Sequence, residues 1–213
     1  MALWSILFVR MARKTGSHSD ITGPRVREAA IRLFTQHGYA AVSMRQIAAE
    51  VGVQAGALYL YTPNKQTLLF DLLFSQMDGA VNALNAADLK GPADVQLESF
   101  VRAHLRYHLG GTSGSFIPYT ELRNLTAANY EKVEVMRRVY EAALEEIVAA
   151  GTKSGQFAVE DSKLTTLVLI SILNGVLTWY RPGGRVKLDA VETHYVDIIG
   201  KAVKPAREPA PAE

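Results

Sequence analysis

The stretch SMRQIAAEVGVQAGALY, residues 43–59, decides the fold of the N-terminal part of this chain. Ser43 with Gln46 three positions later is the capping-box arrangement that starts a helix. Gly52 interrupts the pattern after a short helix, because glycine takes a backbone conformation that a side chain resists. A second short helix is predicted over about 54–61. Two short helices joined by a tight glycine turn are typical of a helix-turn-helix.

The residue types on the two faces of this helix pair favour DNA binding. Ile47 and Ala48 face inward, and Val53 and Leu58 anchor the second helix to the core. The outward positions are small or polar, so that the backbone can lie close to base edges in the major groove. These outward positions are Gln54, Ala55, Gly56, Ala57 and Tyr59.

The rest of the chain is also helical in pattern, and we expect an all-α protein of about nine helices. Apolar residues recur at helical spacing, no segment alternates as a strand, and no internal repeat is found. The further helices are predicted at 22–36, 64–84, 93–109, 118–125, 128–150, 160–181 and 188–203. Gly23-Pro24 should start the first of these, and Gly151 to Gly155 should separate two of the later ones.

Composition and charge restrict the function further. The 213 residues are 48% apolar and 21% charged, as in soluble globular proteins. The lack of cysteine excludes a disulfide scaffold, a zinc ribbon, an iron–sulfur cluster and a thiol nucleophile, and it fits a cytoplasmic location. Residues 10–65 hold eight basic and three acidic residues, a net charge of +5, whereas the remainder carries −3. A basic N-terminal part on a mildly acidic body indicates a polyanionic partner.

Residues 24–72 closely resemble the DNA-binding domain of the TetR family of transcriptional regulators. The resemblance is carried by AIRLF at 30–34, Gly38-Tyr39, SMRQIA at 43–48, Gly52-Val53, GALY at 56–59, Asn64-Lys65 and Leu68-Leu69. Two positions depart from the pattern: Tyr61-Thr62 stand where the family usually has His-Phe, and Gln54 where it often has Ser or Thr. The resemblance implies a homodimeric regulator that binds pseudo-palindromic operator DNA and is released by a small hydrophobic effector.

The same resemblance implies a division into four parts. Residues 1–20 are expected to be a disordered extension, 21–66 a helix-turn-helix DNA-binding domain, 67–204 a helical ligand-binding and dimerisation domain, and 205–213 a disordered tail rich in Pro and Ala. The first ten residues are apolar without a preceding basic region, so they match a signal peptide poorly. Met11 follows them directly and opens a basic, polar segment, so we expect Met11 to be the native start.

Matched position by position, the resemblance also implies the DNA contacts. Phosphate contacts are expected from Ser43, Tyr59, Tyr61 and Lys65. Arg45, Gln54, Ala55 and Ala57 should face base edges, with Gly56 between them. Two alternatives stay open here: Tyr59 as a packed core aromatic, and Arg13 and Lys14 as a solubilising tail instead of an arm on the DNA backbone.

The last two long helices are expected to pair with their symmetry mates in a four-helix dimer interface. The interface residues expected on these helices are Leu167, Ile170, Ser171, Asn174, Gly175, Leu177, Tyr195, Ile198 and Ile199. A purely intramolecular core is the alternative. Leu164 to Tyr180 also lacks charge over 17 residues, but its polar residues favour a helix buried between protein neighbours over a membrane span.

The expected effector-binding residues come from the middle and late helices. They are Phe100, His104, Tyr107, Phe116, Arg123, Tyr130, Trp179 and Arg181. The alternative is that these aromatic residues belong to the core. His104 and His108 are four apart, but no Cys or nearby acid completes a metal site, so we expect neither a metal nor a cofactor.

Two further segments, ELRNL at 121–125 and WYRPGG at 179–184, resemble regulators of this family that respond to acyl-CoA thioesters. Arg123 or Arg181 would then meet the phosphates of the effector, although Arg181 could instead cap the C-terminus of a helix. The second hypothesis is a drug-response regulator with a neutral or cationic aromatic effector. An enzyme is not expected, because the chain has no Walker loop, dinucleotide fingerprint, Gly-x-Ser-x-Gly or His-Glu-x-x-His motif.

Overall fold

A computed structural model describes residues 19–110, 117 and 119–204 of the chain. Every regular element in this part is helical, which confirms the all-α fold: eight α-helices and one 3₁₀ helix are present. The helices are α1 Ser19–His37, α2 Met44–Val51, α3 Ala55–Leu58, α4 Lys65–Ala86, α5 Ala93–Leu109, the 3₁₀ helix Tyr119–Asn124, α6 Ala127–Lys153, α7 Ser162–Trp179 and α8 Leu188–Val203.

The predicted bounds of α5 and α8 are confirmed, but the start of α1 was predicted wrongly. The helix begins at Ser19, and Pro24 lies inside it instead of starting it. A proline ring normally clashes with the Cβ of the residue before it. Gly23 has no Cβ, so the helix can run through this position.

Two other predicted bounds also need correction. The helix predicted over 54–61 ends at Leu58, because the amide of Tyr61 bonds to the carbonyl of Leu58 three residues back, at 2.9 Å. Gly151 does not end α6, which continues to Lys153. A Cβ on Gly151 would collide with the ring of Phe157, so glycine is needed there for close packing.

The three N-terminal helices form a small unit around buried apolar side chains. Phe34 of α1, Ile47 of α2 and Leu58 of α3 are almost completely buried. Burying each of these side chains contributes about 1.5–3 kcal/mol. Arg25 adds a bond from α1 to the end of α2, with its guanidinium 2.7 Å from the carbonyl oxygen of Val51.

Helix α4 connects this unit to the rest of the molecule. Asn64 caps its first turn by accepting a hydrogen bond from the Thr67 amide at 2.8 Å. Its apolar stripe then packs against α1, α5 and α6. Gly79 allows a close approach to α5, because a Cβ there would collide with Tyr107, whose hydroxyl donates to the carbonyl of Gln76 at 2.8 Å.

A buried carboxylate holds α8 to α5. The side chain of Glu192 is only 2% exposed, and it accepts hydrogen bonds from two arginines of α5. The distances are 3.1 Å to Arg102 and 2.8 and 2.9 Å to Arg106. The hydrogen bond to Glu98, and after it the bond to Glu192, raises the pKa of Arg102, and the bond to Glu192 raises the pKa of Arg106. The carboxylate of Glu192 therefore does not lie buried as an unpaired charge.

Helix α7 has two different faces. Thr166, Leu169, Leu173 and Val176 are buried, whereas Leu164, Leu167, Val168 and Trp179 are exposed large apolar residues. Among the described residues, α7 is the one helix that is long and apolar enough to cross a membrane by length and composition alone, which is weak evidence for a span.

Replacing Glu192 with Ala should destabilise the fold, because both arginines lose a buried charged acceptor. Hydrogen bonds to charged groups contribute about 1.5–3 kcal/mol each. Solvent screens the partly exposed arginines and weakens these bonds, so we expect the free energy of unfolding to fall by about 1–3 kcal/mol in total. Urea denaturation at fixed protein concentration measures this loss. Asp88→Asn removes an exposed ion pair and is the control, with an expected change below about 0.5 kcal/mol. Equal effects of the two substitutions would contradict the role given to Glu192.

Candidate DNA-binding surface and ligand cavity

The turn between α2 and α3 fixes the angle between the two helices. Gly52 has φ +79°, and its amide bonds to the carbonyl of Ala49 at 3.1 Å. The amide of Val53 bonds to the carbonyl of Ala48 at 3.0 Å. These two bonds form a Schellman motif, which ends α2 at the residue that the sequence indicates.

The expected DNA-binding side chains lie together on the outer face of this unit. Gln54, Gly56 and Tyr59 are exposed, and Tyr59 is 56% exposed beside the fully buried Leu58. The alternative of Tyr59 as a core aromatic is therefore wrong. Ala55, Ala57 and Tyr61 are partly buried on the same segment. Leu60, which no sequence pattern indicated, is 69% exposed on the same segment.

Ser43 has a clear structural role. Its hydroxyl oxygen accepts from the Gln46 amide at 3.3 Å, and its own amide donates to the Gln46 side-chain oxygen at 2.8 Å. The predicted capping box is therefore present. The hydroxyl also donates to the same side-chain oxygen at 2.8 Å, so a phosphate would have to compete for this proton.

The basic residues of the N-terminal part fall into two groups. The guanidinium groups of α1 bond to protein: Arg25 to a carbonyl, Arg27 to Ser75 at 2.9 Å, and Arg32 to Glu50 at 3.0 Å. Arg45 is exposed and makes no hydrogen bond or ion pair within the described residues. Among the arginine and lysine side chains of residues 19–65, Arg45 is therefore the one whose donors all remain available for DNA.

Lys65 lies in a different environment from the one expected for a simple phosphate contact. Its ammonium group donates to the carbonyls of Tyr39 and Val42, at 2.9 and 2.7 Å. It also lies 4.1 Å from the ring centroid of Tyr39, and burial lowers its pKa. Two of its three donors hold the loop before α2, so only one is left for a phosphate.

A small cavity of about 20 Å³ lies between α4, α5, α6, α7 and the 3₁₀ helix. The residues around it are Met77, His104, Tyr119, Arg137, Tyr140, Glu141, Ile170 and Asn174. This volume is enough for one water-sized group. Six of these eight residues carry a polar group, although apolar atoms make up more of the cavity wall.

His104 and Tyr140 form a buried pair at this cavity. The imidazole Nδ1 lies 3.0 Å from the Tyr140 hydroxyl. Burial lowers the pKa of His104 well below its usual value, and the neighbouring His108 lowers it further. The imidazole is therefore neutral near pH 7. Burial also raises the pKa of Tyr140, so that its phenol keeps the proton.

The charged residues of the cavity neutralise one another. Arg137 lies 3.0 Å from Glu134 and 3.5 Å from Glu141, both on its own helix. Its guanidinium also lies over the ring of Tyr119 at 5.6 Å, where burial raises the pKa of that phenol to about 12. The cavity therefore carries no net positive charge that would attract an anion.

Most of the expected effector-binding residues lie elsewhere in the described structure. His104 lines the cavity, but Phe100 is fully buried and packs against the Tyr140 ring at 5.2 Å. Tyr107 contacts α4, whereas Tyr130 and Trp179 are exposed. The expectation that these residues surround one pocket is therefore corrected: Phe100, Tyr107, Tyr130 and Trp179 do not line the cavity. Phe116 lies outside the described residues.

The two arginines expected to meet an anionic effector are both exposed. Arg181 donates to the carbonyls of Tyr180 and Thr178 at 2.8 and 3.3 Å. This is the helix-capping alternative, in which a cation meets the free carbonyls at the C-terminus of α7. Arg123 lies on the 3₁₀ helix and is not part of the cavity.

Two cavity residues that were not predicted, Arg137 and Glu141, could have been found from their positions on α6. Arg137 and Glu141 continue the buried stripe of α6 formed by Val133, Tyr140 and Leu144. Charged residues at such inward positions are rarely found without a partner or a function. No group of three or more potential metal ligands is found in the part of the chain that the structure describes.

The residues expected at a dimer interface separate into two sets. Leu167 and Ser171 are exposed on α7 and Ile198 on α8, whereas Gly175, Leu177 and Tyr195 are partly buried. Ile170 and Asn174 line the cavity, and Ile199 is fully buried within the chain. Ile199 therefore has to be reassigned to the core, because it faces away from the exposed side of α8.

Both parts of the chain match known protein families. Residues 26–72 match the family model for bacterial regulatory proteins of the tetR family. Residues 90–203 match the model for a tetracyclin repressor-like C-terminal domain, which alone spans more than half of the chain. The chain belongs to the TetR family.

Individual relatives agree with this TetR assignment over most of the chain. The HTH-type transcriptional repressor KstR2 of Rhodococcus jostii is 26% identical over 80% of this chain and 85% of its own length. A tetR-family regulatory protein from Rhodococcus RHA1 has a crystal structure with TM-score 0.79 and 26% identity, covering 90% of this chain and all of the other. AibR in complex with isovaleryl coenzyme A and operator DNA has a TM-score of 0.71 at 21% identity, over 86% of this chain and 98% of the other, which shows a shared fold.

Within this TetR-family surface, Arg45 and Lys65 should respond differently to substitution. Arg45→Ala should weaken DNA binding and lower the slope of log affinity against log salt by about one, because one phosphate or base contact is lost. Lys65→Ala should weaken binding by loosening the loop before α2, with a smaller change in slope. Fluorescence anisotropy at several salt concentrations measures both, and urea denaturation should show a loss of stability for Lys65→Ala alone. The reverse pattern would contradict the roles that the geometry gives to these residues.

Proposed function

We propose that this TetR-family chain is a cytoplasmic, ligand-responsive repressor that binds pseudo-palindromic operator DNA as a homodimer. The observation that carries the proposal is the outer face of α2 and α3, with small residues, Tyr59 and the unpaired Arg45 exposed together. An α-helix that presents small side chains can approach base edges in the major groove. Tyr59, Tyr61 and the third donor of Lys65 supply the phosphate contacts.

The exposed apolar face of α7 supports dimerisation. We use the name α7 face for Leu164, Leu167, Val168, Ser171 and Trp179 together with Ile198 of α8. Soluble proteins rarely leave such a contiguous apolar surface uncovered. A two-fold interface uses the same surface from both copies, so that one α7 face covers the other. The two recognition helices are then related by the two-fold axis, as a pseudo-palindromic operator requires.

An acyl-CoA thioester is the effector class that we propose. Support comes from the segments at 121–125 and 179–184 and from AibR, whose structure contains isovaleryl coenzyme A. The exposed Arg123 and Arg181 are the cations that can meet the phosphates outside the cavity. The neutral cavity around His104 suits the acyl end. A drug-response regulator with a cationic effector is less well supported, because Arg137 and its two glutamates already satisfy one another.

The 3₁₀ helix links the cavity to the DNA-binding unit. Tyr119 forms part of the cavity wall, and its hydroxyl donates to the sulfur of Met77 on α4 at 3.1 Å. Two residues later, the buried carboxylate of Glu121 accepts from the amide of Tyr39 at 3.3 Å. Gln66 at the start of α4 donates to the carbonyl of Asn124 at 2.7 Å. An effector that moves Tyr119 therefore acts on α4 and on the loop before α2 together.

This coupling explains release as a shift between two states. The effector has to bind the state with displaced Tyr119 more tightly than the DNA-bound state. A difference of about 1–3 kcal/mol between the two states corresponds to a change in DNA affinity of about 5- to 150-fold. The cavity is small in the structure, so that a bulky effector requires such a displacement.

A gel shift tests the function directly. Purified protein begun at Met11 should bind its own upstream intergenic DNA in the presence of competitor, and isovaleryl coenzyme A should release it. Arg45→Ala should lose specific binding, whereas Arg138→Ala, an exposed arginine on α6, should keep it. Glu121→Ala should still bind the thioester in calorimetry but release DNA less. Failure to select any DNA from the whole genome would contradict the regulator proposal, and intact binding without release would contradict the effector class alone.

The α7 face can be tested with a matched pair of valines. Val168 on α7 and Val139 on α6 are both about half exposed, at 50% and 51%. Val168→Asp should bury a charge in the dimer interface and shift the protein to monomer, whereas Val139→Asp should leave the dimer unchanged. Sedimentation velocity measures the association state. Dissociation by both substitutions, or by neither, would contradict the proposed interface.

A further inference from the structure

Two buried polar atoms without a partner belong to residues that line the cavity. His104 Nε2 and Asn174 Oδ1 are buried and have no hydrogen-bond partner among the described residues, and both residues line the same space of about 20 Å³. A buried polar atom without a partner destabilises the fold. Such a cost is tolerated where a ligand or water completes the site. The cavity is therefore built to receive a polar group.

The proton of the His104 ring can be placed from its neighbours. The imidazole is neutral because it is buried, so that it carries one N–H. The Tyr140 phenol keeps its proton, and among the described residues Nδ1 of His104 is its hydrogen-bond partner. The phenol proton has a partner among the described residues when it is donated to Nδ1, and the imidazole proton then lies on Nε2. With this assignment, Nε2 is a buried donor without a partner on a residue that lines the cavity.

Asn174 provides the complementary group from α7. Its Oδ1 is a carbonyl oxygen and can only accept a hydrogen bond. The other polar residues of the wall already have partners within the protein. Arg137 pairs with Glu134 and Glu141, which also lie 3.8 Å from Arg138 and Lys163, and the Tyr119 hydroxyl donates to the Met77 sulfur. His104 Nε2 and Asn174 Oδ1 are therefore the buried donor and acceptor for which the described residues supply no partner.

We infer that this site takes an uncharged hydroxyl group, which accepts from His104 Nε2 and donates to Asn174 Oδ1. The available volume fits one such group. A carboxylate would be an unpaired buried charge and has no proton for Asn174. A carbonyl oxygen would satisfy His104 and leave Asn174 Oδ1 without a donor.

The inference places a hydroxyl group on the acyl chain of the proposed thioester effector, so that such a thioester should release DNA at a lower concentration than isovaleryl coenzyme A, whose acyl chain has none. Only this assignment to an effector rests on the proposed function. The hydroxyl can come from a water molecule or from an alcohol. A ligand alcohol differs from water because it brings a carbon chain toward Met77 and Ile170, the apolar part of the wall. Alcohols of increasing length therefore separate the two sources.

Histidine NMR on the full chain tests both steps. With ¹⁵N-labelled histidine, His104 should show a protonated Nε2, and its signal is assigned by loss in His104→Gln. Methanol, ethanol and 1-propanol are then titrated beside formate, acetate and propionate. The alcohols should give a saturable shift of the His104 signal that the carboxylates do not give. His37 on α1 and His194 on α8 are exposed and do not line the cavity, and they report on any general solvent effect.

Two variants show whether Asn174 takes part. Asn174→Leu should weaken the alcohol response at least tenfold. Thr166→Val is the matched control, because Thr166 is also a buried polar residue of α7 but bonds to the carbonyl of Ser162 at 2.7 Å and does not line the cavity. It should keep the full response.

Three results would overturn the inference: protonation of His104 at Nδ1, a response to the carboxylates equal to that to the alcohols, or no response to any alcohol. The last result would leave water alone as the occupant. The gel shift is run on the same preparation, so that the two proposals can fail separately. Loss of DNA binding with an intact alcohol response would contradict the regulator proposal, whereas the inferred hydroxyl site would still stand.

Discussion

The apolar stripe of α4 is the feature on which the rest of the structure depends. Its first buried residues, Leu68 and Leu69, lie at the DNA-binding end, and Met77 lies at the cavity. One continuous helix therefore belongs to both parts of the molecule. Close packing makes such a helix stiff, because its buried side chains have no free space into which to move. A displacement at Met77 is consequently not absorbed locally, and it reaches the loop that Lys65 and Gln66 hold.

Charge is used for different purposes in the two parts of the chain. Four of the five arginine and lysine side chains in the described residues 19–65 bond to other groups of the protein, so the net charge of +5 does not show how many cations have all their donors free. In the body, charged residues are paired within the wall of the cavity or between helices, as at Glu192. A net charge read from sequence measures the long-range attraction of a polyanion. It does not show which cations make contacts, because that depends on the carbonyls and carboxylates that the fold brings to them.

The fold and the exposed face of α2 and α3 were predicted well from the sequence, because both depend on local signals. The cap at Ser43, the turn at Gly52 and the outward position of Tyr59 follow from residues a few positions apart. The cavity was predicted poorly, because its walls come from five separate elements. His104 was found, but Asn174 was placed at the dimer interface and Arg137 was missed. Helical spacing shows which residues share a face, yet it does not show which face meets a neighbour of the same chain and which remains exposed.

Helix α7 connects the last two features of the molecule. Ile170 and Asn174 line the cavity, and Asn174 lies on the same side of the helix as Leu167 and Ser171 of the exposed α7 face, seven and three residues after them. In the proposed dimer the bound hydroxyl group would then lie beside the edge of the interface. Any tilt of α7 that improves the contact to Asn174 also changes the pairing of the two α7 faces. By thermodynamic reciprocity, effector affinity and dimer geometry would be coupled with the same free energy in both directions. Helix α7 therefore couples the polar site to the apolar surface, just as α4 couples the cavity to the DNA-binding unit.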